Sequence, residues 1–206
     1  MQVRRLVVGP LDTNCWIISG EDGVPVLVID PADNAAAILD ALGGHVPHAV
    51  VLTHCHFDHL AAAAEVCEAT GAPLLVHEAD APFVTCPTGT GGALFGFDDT
   101  APHPDRELRD GDLVEAADLV FEVIHTPGHT PGCISLYGHN RLFSGDTLFA
   151  GSVGRTDFPR GDAHALRRSI AERIAPLPDD TVVHPGHGPD TTIGRERAVN
   201  PFFPRA

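Results

Sequence analysis

The sequence predicts an α+β fold in which strands and helices are mixed within one unit and helices cover the faces of sheets. Three observations lead there. Short apolar runs cut by Gly, Pro and Asp turn signals recur along the chain, such strand runs are twice followed by a helix, and no linker-like stretch divides the sequence. At 206 residues the chain is long enough for a substantial core and short for two, so residues 1–206 are expected to form a single domain.

In order, Gln2–Val8, Asn14–Ser19 and Val24–Asp30 read as strands, separated by Gly9-Pro10 and by Glu21-Asp22-Gly23 and ended by Asp30-Pro31. Asn34–Leu42 reads as a helix with Asp33 or Asn34 as its N-cap and Gly43-Gly44 as its stop. His48–Thr53 is a continuous apolar run of the kind a strand buried on both faces shows. His59–Thr70 is Ala-rich and stopped by Gly71 and Pro73, a helix, and Pro73–Val76 is the next buried strand. The stretch from Cys86 to Asp105 is rich in Gly and Pro, with Phe95 and Phe97 between them, and reads as a long lid or binding loop. Strands resume at Asp112–Glu115, Leu119–Ile124, Cys133–Tyr137 and Arg141–Ser144. A helix over Ala163–Ile174, a strand over Thr181–His184 and a short helix over Gly194–Val199 complete the series.

Composition excludes several function classes. Twenty-eight acidic against 13 basic residues, all of them Arg, give a formal charge of −15, which argues against a nucleic-acid partner because phosphate binding needs clustered cations. No run approaches the roughly 18 apolar residues of a spanning helix, so no membrane partner is expected. The N-terminus does not read as a signal peptide. Five cysteines (15, 55, 67, 86 and 133) include no Cys-x-x-Cys pair, which makes a disulfide scaffold or zinc ribbon unlikely and a reducing cytoplasm the expected location.

Thirteen histidines are a surplus, and several sit in turns. Residues 54–59 read His54-Cys55-His56-Phe57-Asp58-His59, directly after a buried strand and at the mouth of a helix. Imidazole and carboxylate are the usual ligands of zinc and similar divalent metals. These four cannot all face one ion from a regular element. In a tight turn His54 and His56 can diverge from Asp58 and His59, which points to two adjacent metal sites, a single site being the simpler alternative. Three later turns have the same character: Thr126-Pro127-Gly128-His129-Thr130-Pro131-Gly132, Ser144-Gly145-Asp146-Thr147 and His184-Pro185-Gly186-His187-Gly188-Pro189. Each presents a ligand type on a turn that follows a strand, where rigid scaffolds place function.

This arrangement, in this order over nearly the whole chain, resembles the metallo-β-lactamase superfamily, and the stretches TPGHTPG, SGDTLF, GSVGRTDFPRGD and HPGHGPDTTIGRE look most like the short bacterial glyoxalase II-type hydrolases. The resemblance implies a four-layer αββα sandwich. It implies that His54, His56 and His129 hold one divalent ion, that Asp58, His59 and His187 hold a second, and that Asp146 bridges them, zinc being expected and iron or manganese the alternatives. A hydroxide shared by the ions would attack a small-molecule thioester such as a hydroxyacyl-glutathione, with Asp58 orienting it and Asp146 holding the pair together. A thiolate, with a pKa near 8.5, leaves without a proton, whereas an amide nitrogen needs a donor that the sequence does not offer. The larger glyoxalase II enzymes add a C-terminal helical domain that binds glutathione. This chain ends at Ala206, soon after its last motif, so that domain is expected to be absent, and an anionic carrier would need Arg155, Arg195 or Arg197. Phe95 and Phe97 are candidate contacts to a more apolar acyl group.

Two other readings have a basis. Persulfide dioxygenases share a GRTDF-like loop and a TPGHT-like turn and use one Fe(II), whose ligands here would be His56, His129 and Asp146. A non-catalytic metal-binding module is the third. His125 and His184 flank motif turns and are secondary ligand candidates, Cys55 reads as a small packing residue, and an Arg155–Asp157 salt bridge is as natural a use of Arg155 as substrate contact. Phe202-Phe203 reads as either a dimer contact or packing.

Overall fold

A computed structural model describes residues 1–204; Arg205 and Ala206 lie outside the described residues. The period-2 alternation of its strands sorts apolar side chains into separate layers. In β2 (Thr13–Ser19), Trp16 and Ile18 face one way and Cys15 and Ile17 the other, and the whole strand is buried. A strand covered on both faces must have a sheet on one side and helices on the other.

The first sheet runs in spatial order β1 (Gln2–Val8), β2, β3 (Pro25–Ile29), β4 (Ala49–Val51), β5 (Leu74–His77) and β6 (Arg106–Leu108), parallel from β3 onward. The second contains β7 (Leu113–Ala116), β8 (Leu119–His125), β9 (Ile134–Gly138), β10 (Arg141–Gly145), β13 (Val182–Pro185) and β14 (Thr191–Thr192), in the order β14-β13-β10-β9-β8-β7. A small hairpin, β11 (Leu148–Phe149) with β12 (Ser152–Val153), projects after β10.

Between the sheets, Trp16, Ile18, Leu27, Ile29 and Val51 meet Phe121, Val123, Ile134, Leu136 and Phe143. On the outer face of the first sheet, Ile17, Val28, Val50 and Val76 pack under α1 (Ala35–Leu42) and α3 (Ala63–Thr70) through Ile38, Leu42, Ala63 and Val66. On the outer face of the second, Ile124, Leu142 and Val183 pack under α4 (Ala163–Ser169), its π-helical continuation Ile170–Ile174, and α5 (Ile193–Val199). The result is the expected αββα sandwich. No helix is long and apolar enough to cross a membrane among the described residues.

Several boundaries differ from expectation. The predicted helix over His59–Thr70 is two helices, α2 (Phe57–Leu60) and α3, because the Ala62 N–H donates to the Pro31 carbonyl at 2.9 Å. Asn34, not Asp33, caps α1, its side chain accepting from the Ala37 N–H. The 86–105 segment contains a 3₁₀ turn at Gly92–Leu94 and is pinned by buried Thr90, whose hydroxyl donates to the carbonyls of Pro87 and Asp99 at 3.2 and 3.1 Å. Strands β6, β11, β12 and β14 are too short to show alternation and escape sequence reading. All five cysteines are free, and Cys67 is half-buried beside the core under the first sheet's helices. Phe203 is buried under the second sheet's helices, while Phe202 stays exposed.

Candidate metal centre

The turns that carry the predicted ligands meet at one edge of the sandwich, where the two sheets are stitched together. The Ile134 N–H donates to the Thr53 carbonyl at 2.9 Å and the Asn14 N–H to the Gly186 carbonyl at 2.7 Å. The Trp16 indole N–H and the Asn14 side chain both donate to the Pro185 carbonyl. The first bond ties the chain leading into the 54–59 turn to the start of β9, and the others tie β2 to the end of β13 and the turn after it.

All seven predicted ligands come together. His54, His56 and His129 converge, as do His54, His59 and Asp146, and as do Asp58, His59 and His187, the potential ligand atoms within each trio lying within 4.8 Å of one another. The trios share His54 and His59, so they form one continuous cluster with two ends. His56 Nδ1 is 2.8 Å from His129 Nε2, and His187 Nε2 is 3.2 Å from Asp58 Oδ2. Asp146 lies between them: its Oδ1 is 3.3 Å from His59 Nε2 and its Oδ2 is 3.4 Å from His129 Nε2.

The other nitrogen of four of the five imidazoles is committed elsewhere, which decides what each offers inward. His54 Nδ1 pairs with the Thr53 hydroxyl at 3.1 Å, His59 Nδ1 with Asp30 at 2.9 Å, His129 Nδ1 with the Arg155 carbonyl at 2.6 Å and His187 Nδ1 with the Leu11 carbonyl at 3.1 Å. Such outer partners orient metal-binding histidines and raise their basicity. What remains inward includes His54 Nε2, His59 Nε2 and Asp146 Oδ1, all buried without a hydrogen-bond partner. A buried polar atom left unpaired costs roughly 1–3 kcal/mol, so three converging on one space call for a shared partner. A divalent cation fits that donor set.

The electrostatics make the same demand. Burial would lower the His59 pKa, but Asp146, Asp58 and Asp30 outweigh it and hold the ring well above the ordinary imidazole range. Burial would raise both Asp58 and Asp146, yet the surrounding histidines, His59 foremost, keep both carboxyls below their usual range. Burial and the neighbouring rings keep His54 well down, and burial and His129 bring His56 down to about 3, so both stay neutral with lone pairs available. The cluster is short of positive charge and rich in lone pairs.

Two buried carboxylates that sequence reading missed hold this geometry. Asp30, at the end of β3, accepts from the Thr53 N–H and hydroxyl, both at 2.7 Å, and from His59. Asp80 accepts from the Cys55 N–H at 2.9 Å, the Thr130 hydroxyl at 2.6 Å and the Gly132 N–H at 2.7 Å, tying the 54–59 turn to the 126–132 turn. A Cβ on Gly132 would lie 2.5 Å from the Asp80 carboxyl carbon, and one on Gly186 would lie 2.3 Å from Asp146 Oδ1; the approach needs glycine at both. Cys55 is buried and stands outside the cluster, burial pushing its thiol well up. His125 and His184 also stand outside it. His125 pairs with the Pro131 carbonyl, and His184 packs against Trp16 and Phe143 with Asp190 and Arg141 at its two nitrogens.

The cluster floors a cavity of about 470 Å³. Phe95, Phe97 and Arg155, predicted as substrate contacts, all line it, with Phe57, Phe158 and Arg160. Arg195 and Arg197 do not line it. Arg155 makes the expected fork to Asp157, both bonds 2.7 Å, and lies over the Phe158 ring at 3.8 Å.

Residues 8–187 match the model of the metallo-beta-lactamase superfamily. The hydroxyacylglutathione hydrolase GloC of Haemophilus influenzae is 34% identical over 209 residues, covering 98% of each chain. The crystal structure of BLEG-1, a B3 metallo-beta-lactamase, matches with TM-score 0.92 and 37% identity over 98% of this chain and 99% of that one. That of TTHA1623 in a di-iron-bound form matches with TM-score 0.87 and 39% identity over 98% and 100%. The chain belongs to the metallo-β-lactamase superfamily.

Proposed function

We propose that this protein is a binuclear metal-dependent hydrolase that cleaves a thioester, of the hydroxyacyl-glutathione type, to a carboxylic acid and a thiol. The observation that carries the reading is the continuous seven-residue cluster at the cavity, with Asp146 between its two ends, Oδ1 beside His59 and Oδ2 beside His129 and His187. His54, His56 and His129 would hold one ion, Asp58, His59 and His187 the other, and Asp146 both. A pair of divalent ions, zinc foremost and iron or manganese as alternatives, supplies a hydroxide nucleophile at neutral pH and polarises the substrate carbonyl.

The chain's residues do the remaining work. Asp58 Oδ2 accepts from the Thr13 hydroxyl at 3.3 Å and lies beside His187; with His59 foremost in keeping the carboxylate ionised, Asp58 lines the cavity, where it orients the nucleophile. The water oxygen forms the new C–O bond, the C–S bond breaks, and the thiolate departs with its electron pair. Among the described residues lining the cavity the only carboxylates are Asp58 and Asp146, both committed to the cluster. That set suits a leaving group that needs no proton and favours a thioester over a lactam amide. Similarity to the Haemophilus influenzae hydroxyacylglutathione hydrolase supports the same choice.

The test loads metal-free protein with zinc or with iron and measures thiol release from S-lactoylglutathione beside oxygen uptake with glutathione persulfide. Thiol release without oxygen consumption is expected. Oxygen uptake by the iron form, with no thiol released, would establish the dioxygenase reading instead.

A further inference from the structure

Of the large apolar side chains exposed on this protein, Leu11, Leu94, Phe95 and Phe97 all line the cavity over the metal cluster. Phe95 is 53% and Phe97 37% exposed, a costly arrangement unless something apolar covers them. Single exposed apolar residues are ordinary; a contiguous set at the mouth of a polar centre marks a surface built for a ligand.

The rings form a continuous path. Phe57 stacks on Phe97 at 4.9 Å and 17°, Phe95 meets Phe158 edge-on at 5.7 Å, and Phe158 meets His56 edge-on at 5.7 Å. An aromatic wall thus runs from a cluster histidine to the rim. It is anchored: the Phe57 N–H donates to the Thr90 carbonyl at 3.1 Å, and Thr90 bonds to Pro87 and Asp99 as described. A cavity walled in advance gives affinity to a matching group without an ordering cost.

Two guanidiniums line the cavity, those of Arg155 and Arg160. The Arg155 charge is balanced by Asp157 in a two-bond fork. Arg160 donates to the Gly89 carbonyl and lies over the Phe83 ring at 4.0 Å, turned into the wall. Arg197 is bound to Asp179 at 2.9 Å, away from the cavity. Arg155 is thus paired with a carboxylate, whereas Arg160 meets a carbonyl and a ring.

Resting on the thioester reading, we propose that the wall of Phe57, Phe95, Phe97 and Phe158 is an acyl-binding subsite, and that the protein selects thioesters with an apolar or aromatic acyl group on a neutral and on an anionic thiol carrier alike. A charged thiolate gains nothing from an apolar wall, so the acyl half is the one placed against the rings.

The experiment measures kcat/KM of zinc-loaded protein for acetyl, butanoyl, hexanoyl, phenylacetyl and lactoyl thioesters of neutral N-acetylcysteamine, and for phenylacetyl and lactoyl thioesters of glutathione. Each added methylene that is buried should raise kcat/KM about fourfold until the cavity is full. Phenylacetyl should exceed lactoyl by about tenfold or more on either carrier. Phe97→Ala should cut the phenylacetyl-to-lactoyl ratio about tenfold, and Phe95→Leu, a gentler change, should lower it in the same direction. Preference for lactoyl over phenylacetyl on either carrier would overturn the proposal while leaving the thioester reading intact. If protein carrying two metal ions cleaves no thioester on either carrier, the thioester reading itself fails and this inference falls with it.

Discussion

At the scale of residues, the centre is defined as much by what stands behind each imidazole as by the imidazoles themselves. His59 can offer only Nε2 because Asp30 takes its Nδ1, and Asp30 is held in turn by two bonds from Thr53. Asp30→Asn should weaken metal binding about 10- to 100-fold, read by zinc competition against a chromogenic chelator; unchanged affinity would show that His59 is oriented without it. Asp146→Ala should cost on the order of a thousandfold in turnover, because the carboxylate lying between the two ends of the cluster is lost. Full turnover by the variant would refute the bridging role. The ligand types were readable in sequence because three His and one Asp crowd into six positions at 54–59 and the later turns repeat the pattern. Asp30 and Asp80 were not. Each is a lone acidic residue beside a turn, indistinguishable in sequence from exposed Asp40, and only the folded chain shows both buried with three bonds apiece.

At the scale of elements, the long strands and capped helices announce themselves through alternation and Gly stops, and their residues match the observed spans closely. What the sequence concealed are the pieces that shape the cavity. The β11–β12 hairpin, which places Phe149, Ser152 and Val153 in the wall, has two residues per strand and no period to read. It is held from α5 by Glu196, fully buried, which accepts from the Gly151 N–H at 2.7 Å, the Thr191 hydroxyl at 2.6 Å and the Asn200 amide at 2.8 Å. Glu196→Ala leaves those donors unpaired at about 1–3 kcal/mol for a buried group. It should lower Tm by several degrees, at about 2–4 °C per kcal/mol for a chain of this size, and speed amide exchange of the hairpin. A Tm unchanged by the substitution would mean that the hairpin is held by packing alone. The break between α2 and α3 is equally silent in sequence, because an Ala-rich run reads as one helix and the competing bond comes from Pro31, far along the chain.

At the scale of the whole molecule, burial in three layers explains why one edge carries all the chemistry. The sheets are covered on both faces by each other and by helices, so the turns beyond the strand ends are where polar side chains can converge. Among the described residues, three of the five buried side-chain polar atoms without a hydrogen-bond partner belong to the cluster at that edge, which ties stability to metal. A ligand that binds only the folded state at a thousand times its Kd adds about 4 kcal/mol, so saturating zinc should raise Tm by roughly 10 °C over chelator-treated protein. No shift would mean that the cluster does not bind zinc in the folded state.

The most direct test of the central claim is the metal stoichiometry at which thioester cleavage appears. Metal-free protein would be titrated with zinc, with bound metal counted by mass spectrometry and thiol release followed in the same samples. The two-ion account predicts activity that rises to a break at two equivalents per chain, and a break in neither quantity for Asp146→Ala at that ratio. Full hydrolysis at one equivalent, or two bound ions with no cleavage of any thioester, would contradict it.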